Sequence, residues 1–267
     1  VKEVSRDFYQ EIKEFNKKMK ADYQRYLIKD DIPAGFVIID DKITRLLHPS
    51  DLETKISYRL LSLQRAVISE IVSKDKRLQY LDIIKKELSH PDGVRLMDKP
   101  VNYHYGTQTY FTRAETAANF GREIGIMYVH AHLRYIEALL KENSGKEALL
   151  NLEKVSPINI TKRVKNANIR QANLYFSSSD AAYNNRYLAQ ENYHLVKEGA
   201  IKVKAGWRLY SSGPGLYLAQ FINNLLGIKV KNNNLFLNPK YCFKGLEINF
   251  NYLGKMVNVC YYRDLDE

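Results

Sequence analysis

Apolar residues return every three or four positions through most of the chain up to Leu226, in short blocks, and from about Asn234 they return every second one. That switch of period limits the fold more than any other feature, because the first spacing marks one face of a helix and the second one face of a strand. The opening block, with Val4, Phe8, Ile12, Phe15 and Met19, predicts a helix whose other face is charged throughout, as in "EIKEFNKKMK". It has no apolar core of the kind a signal peptide needs, and no stretch approaches the roughly 20 apolar residues that cross a bilayer. A short strand or loop excursion follows around Val37, Ile38 and Ile39, and then a helix pair broken near Ser73 to Lys76 and closed by the turn His90-Pro91-Asp92-Gly93.

The best helical pattern runs from about Arg122 to Glu142 through Ile126, Val129, Leu133, Ile136 and Leu140, with Ser144-Gly145 as its stop. A short helix fits "GKEALLNLEKV", ended by Pro157. The segment from Ile158 to Trp207 is polar and aperiodic, and its Tyr and Phe content favours an ordered, functional loop. Pro214 at the start and Gly227 at the end bracket another helix. Strands close the chain, with Leu246, Ile248 and Phe250 alternating before a turn at Asn251 to Gly254.

Composition removes several function classes. With 267 residues and only two cysteines the chain has no disulfide framework, so Cys242 and Cys260 are expected to be buried thiols in a reducing, cytoplasmic setting. Its 41 Lys and Arg exceed its 30 Asp and Glu by 11. A basic balance attracts anions or nucleic acid, but here most of the lysine alternates with acids on wet helix faces. Neither a nucleic acid nor a membrane is expected as partner.

Candidate chemistry concentrates in three places. In "YSSGPGLY" a helix beginning at Pro214 turns its free N–H groups and positive dipole end toward Ser211, Ser212 and Gly213, an arrangement that suits phosphate; an ordinary Ser N-cap is the plain alternative. His130 and His132 are two apart, about 200° around a helix, so they cannot chelate one metal together and only one faces the interior. His48, His90, His104 and His194 show no ligand spacing either, and no metal is expected. Arg113, Glu115, Arg122 and Glu123 line a loop-to-helix entry that could hold sugar hydroxyls and an anion, or merely form surface ion pairs.

The blocks "RAETAANFGREIGIMYVHAHLRYIEALL", "RQANLYFSSSDAAYNNRY" and "GWRLYSSGPGLYL", with "YRLLSLQRAVIS" and "HPDGVRLMDKP", resemble the carboxyl-terminal part of the inverting glycoside phosphorylases related to cellobiose phosphorylase, in the branch acting on β-1,2-linked glucans. The resemblance implies a mainly α fold. Residues 1–233 would be the C-terminal portion of an (α/α)6 catalytic barrel built from helix pairs, and 234–267 the start of a C-terminal β-sandwich. It implies reversible phosphorolysis of β-1,2-glucooligosaccharides with inversion, giving α-glucose 1-phosphate, with inorganic phosphate as co-substrate and no other cofactor. By position, His130, Ser212 and Gly213 match phosphate-binding residues. Arg122, with Glu123, falls where relatives carry a substrate-contacting Lys, and the stretch of Gln171, Ser178 and Asp180 replaces a sugar-contacting segment. The family's general acid, an Asp, lies upstream of every matching block, so the expectation is a fragment that carries the phosphate half of the site and pairs with a missing N-terminal half. Cellobiose or cellodextrin phosphorolysis, and a non-catalytic sugar- or phosphate-binding fragment, are the alternatives.

Overall fold

A computed structural model of the chain describes residues 5–103, 109–111, 114–115, 126–171, 175–206, 212–241 and 243–262. Helix α1 (Arg6–Asp22) starts at the predicted block, capped by Ser5 Oγ, which accepts from Phe8 N–H at 3.3 Å. None of its residues is buried. Its apolar stripe, Phe8, Ile12, Phe15 and Met19, faces outward. Two small hairpins follow: β1 (Ile28–Lys29) with β2 (Ile32–Pro33), and β3 (Phe36–Ile39) with β4 (Ile43–Leu46).

Next come α2 (Leu60–Ile68) and α3 (Lys74–Ile83), the latter capped at Ser73 as the sequence break predicts, and the hairpin β5 (Ser89–His90) and β6 (Gly93–Val94). After β7 (Met127–Tyr128) the chain enters α4 (Val129–Lys141), then α5 (Gly145–Lys154) and α6 (Ile160–Arg163). The aperiodic segment supplies β8 (Ser178–Ala181), α7 (Arg186–Glu191), α8 (Tyr193–Lys197) and β9 (Val203–Gly206). Helix α9 (Ser212–Leu218) precedes two hairpins, β10 (Ile228–Lys231) with β11 (Asn234–Leu237) and β12 (Leu246–Tyr252) with β13 (Lys255–Tyr261).

The main core gathers Leu60, Leu63 and Val67 of α2, Leu133, Ile136 and Leu140 of α4, and Ala148 and Leu152 of α5. Burial of such side chains, each worth about 1.5–3 kcal/mol, is what holds short helices that would be marginal alone.

The (α/α)6 barrel and β-sandwich implied by the resemblance are not what the described residues form. They form helices interleaved with six small antiparallel sheets, five of two strands and one of three. The physical reason lies in how the helices end. Three helical stretches widen into π turns at Tyr23–Leu27, Ile84–Leu88 and Ala219–Leu225, and each runs straight into a strand or a glycine turn instead of returning as a partner helix. The terminal hairpins share a small cluster around Leu226, Ile228, Val259 and Tyr261, but they do not join into stacked sheets. Strand pairing also starts earlier than expected, at Ile228, because Gly227 turns the chain at φ +72°.

The segment read as loop supplies two strands of the three-stranded sheet β7–β8–β9, with Tyr128 opposite Ser178 and Ser178 opposite Gly206, while β7 takes Met127 and Tyr128 out of the helix expected from Arg122, which in the described residues begins at Val129. Cys260 is exposed, not buried, because it alternates with the inward Val259 and Tyr261; Cys242 lies outside the described residues. Among the described residues no helix is long and apolar enough to cross a membrane.

Candidate functional site

Helix α4 carries both histidines, and its backbone is tied to the sheet where Val129 N–H donates to Ser177 O at 3.0 Å. The half-turn between the two residues separates them as predicted. His132 is fully buried, whereas His130 is half-buried. Val94 N–H donates to His132 Nδ1 at 3.2 Å, and His132 Nε2 donates to Asn151 O at 2.9 Å, so backbone groups fix the neutral tautomer. Burial pushes its pKa down to about 4. Gly93 makes this approach possible: at φ +134°, a side chain there would run into Met127 and His132. His130 also titrates below its ordinary value, from burial and then from the positive charges of Arg134 and Arg65.

The start of α9 comes close to this region. Helix α4 packs against α9 and the π turn that follows it. Tyr175 seats its ring on buried Gly213, where a Cβ would overlap both ring and hydroxyl. Burial and, secondarily, the neighbouring Tyr128 push the Tyr175 phenol up to about 12. Gly213 and the N-terminal end of α4 are thus linked through Tyr175 and Tyr128. The Ser212 backbone opens α9; its side chain, and the whole of Arg122, Glu123 and Arg113, lie outside the described residues.

Ser178 and Asp180 come together on β8. Gly206 on the neighbouring strand leaves them room, since a Cβ there would meet Ser178 Oγ and Asp180 Oδ2. Around them stands a group of charges that sequence reasoning missed. Arg95 Nη2 lies 3.0 Å from Asp92 Oδ1, both side chains being almost wholly buried. Arg170 lies 4.1 Å above the Phe176 ring and donates to Ser179 Oγ at 3.0 Å. Burial alone would raise the Asp92 carboxyl, but Arg95, Ser179 and His90 outweigh it and hold it below the usual range. For Asp180 burial wins over Ser178, Arg95 and Arg170, and its carboxyl titrates above the usual range. Burial lowers Arg170 to about 10. Gln171, next to Arg170, is exposed and no described contact draws it into this group.

Glu115 is not a surface ion pair: it is buried and accepts the Tyr110 N–H at 3.1 Å, closing the loop on itself. Arg186, also buried, donates to Val101 O at 2.6 Å and Ala114 O at 2.5 Å, which pins both ends of that loop. The Arg186 role was not visible as a motif, because its partners are backbone atoms about 70 to 85 residues away in sequence; that of Glu115 is local, but no charge pattern marks a carboxylate that accepts from backbone five residues back. The one available signal for Asp92 and Arg95 was their place in "HPDGVRLMDKP".

No family model matches the chain. Over 226 residues, 84% of its length, it is 50% identical to the 1,2-beta-oligoglucan phosphorylase of Listeria innocua serovar 6a. The chain is similar to part of that phosphorylase. Identity at this level over so long a span bears out the resemblance carried by the histidine helix, the serine strand and the Ser-Gly-Pro helix start. The chain covers 21% of the Listeria phosphorylase's own length.

Proposed function

We propose that this chain forms the phosphate-side part of a glycoside phosphorylase that acts on β-1,2-glucooligosaccharides, releasing α-glucose 1-phosphate with inversion. The observation that carries the reading is the 50% identity to a 1,2-beta-oligoglucan phosphorylase over 84% of the chain. Phosphate would lie between His130 and the start of α9, where the Ser212–Gly213 backbone offers N–H groups and Arg65 and Arg134 add positive potential. A phosphate oxygen attacks the anomeric carbon from the face opposite the leaving group, so no second carboxylate is needed to activate water. A carboxylic acid from the part of the family fold upstream of these blocks gives its proton to the leaving oxygen. Arg122, Glu123 and Gln171 would face the sugar, while Ser178 and Asp180 shape the strand behind it. Phosphate is the only co-substrate the scheme needs, and a cytoplasmic setting belongs with it.

The test incubates the chain with phosphate and either β-1,2-glucooligosaccharide or cellobiose, with the Listeria enzyme as reference, and measures phosphate binding by calorimetry. Binding of phosphate that His130→Ala weakens at least about tenfold, with slow α-glucose 1-phosphate release from the β-1,2 substrate alone, supports the reading. Absence of phosphate binding, or release from cellobiose in preference, would overturn it.

A further inference from the structure

Helices α5 and α6 and the turn before α5 line an open cavity of about 770 Å³, which shares no lining residue with His130, Gly213 or β8. Its size is within the roughly 300–1,000 Å³ span of small-ligand sites. Five cations line it, Lys85, Lys146, Lys154, Lys162 and Arg163, against two carboxylates, Glu147 and Glu153. Both carboxylates are already engaged: Lys85 lies 3.4 Å from Glu147, and Arg163 2.8 Å from Glu153.

That leaves three lysines, 146, 154 and 162, with no ion pair among the described residues. Lys146 and Lys162 are exposed, but Lys154 is half-buried. Burial lowers its pKa despite the attraction of Asp92 and Glu147. A desolvated ammonium facing a cavity is stabilised most by an anion that enters the cavity, and two further lysines add to the same field. Among the described residues no aromatic ring lines the walls, so nothing described there would stack on a nucleobase; Asn143, Asn151 and the two carboxylates offer acceptors and donors for hydroxyls instead.

We infer that this cavity binds a phosphorylated hexose, with the phosphoryl group held by Lys146, Lys154 and Lys162 and the sugar hydroxyls by the amide and carboxylate wall. The inference does not rest on the phosphorylase reading. Calorimetry on the full chain would use glucose 6-phosphate as probe, with glucose and inorganic phosphate as comparators. Glucose 6-phosphate should bind, and both Lys146→Glu/Lys162→Glu, which touches only exposed side chains, and Lys154→Met, which keeps the buried stem, should weaken it at least about tenfold. His130→Ala should leave this binding unchanged while removing that of phosphate near α9, so the two readings fail separately. Unchanged affinity in either lysine variant, loss of glucose 6-phosphate binding in His130→Ala, or, in the His130→Ala chain where the site near α9 no longer contributes, binding of glucose or of inorganic phosphate equal to that of glucose 6-phosphate would each overturn the inference.

Discussion

The two sides of helix α4 treat the same residue type in opposite ways. On the inner side His132 has both ring nitrogens engaged by backbone and touches the buried region of Asp92 and Arg95. On the outer side, two residues earlier, His130 keeps part of its surface open and lies under the influence of Arg65 and Arg134. A polar group fully engaged by its own fold has nothing left to offer a ligand, whereas one half-buried beside positive charge has a reason to take an anion. Changes on the inner side should therefore read out in stability and changes on the outer side in binding.

The sharpest break of that division would come from Asp92. Asp92→Ala leaves Arg95 charged and buried without its partner, and such losses cost about 3–5 kcal/mol. Urea unfolding should show it. A loss below about 1 kcal/mol would mean that the inner side is not held by its charges.

Acid should attack the same side. His132 titrates near 6.5 when unfolded and at about 4 in the fold, so between those values the unfolded chain binds more protons. Its contribution is complete above pH 6.5 and is lost as the pH falls toward 4, by about 1.4 kcal/mol per pH unit, or about 2 kcal/mol at pH 5. His90, pushed down to about 3 by burial and by Arg95, acts in the same direction. Melting curves from pH 7 to 5 should drop steeply, and His132→Asn should flatten part of that slope even though it starts less stable. A slope unchanged by the substitution would remove His132 from the account.

How much of this was legible beforehand follows from what each signal depends on. Helix starts at Ser73 and near Pro214 were readable because caps and proline act within a few residues. The separation of His130 from His132 needed only the helical angle. The strand pair inside residues 158–207 was invisible: β8 is Ser178-Ser179-Asp180-Ala181, which has no apolar alternation because both faces are buried among charges and glycine. The Asp92, Arg95, Arg170 and Asp180 group joins residues up to 88 positions apart, and no local pattern announces such a contact. The barrel expectation failed for a related reason, since nothing in a 3.6-residue period says that a helix will end in a π turn and a hairpin.

Gly213 lies at the border of the two regimes. Gly213→Ala must push the Tyr175 ring aside, an overpacking that costs about 1–3 kcal/mol and displaces the start of α9 from the position assigned to phosphate. Thermal melting should fall modestly and phosphate affinity together with it. Tyr175→Phe in the same background relieves only the hydroxyl overlap, so partial recovery of both readouts would confirm that Tyr175 transmits the effect. Recovery of stability without recovery of binding would separate the helix start from the phosphate.

The smallest change in stability should come from His130. Its ring is only half-buried, so His130→Ala removes little packed surface, and unfolding free energy should shift by less than about 1 kcal/mol. Binding should respond in the opposite proportion. An anion placed beside the ring favours its protonated form, so sulfate, a phosphate analogue that does not itself titrate in this range, should bind more tightly as the pH falls from 8 toward 6, with proton uptake visible as a buffer-dependent heat. His130→Ala should abolish that uptake and weaken binding, while His132→Asn, two residues away on the same helix, should leave the uptake in place. If the two variants behaved alike, the inner and outer sides of α4 would not be the separate structural and binding surfaces that their burial and hydrogen bonds indicate.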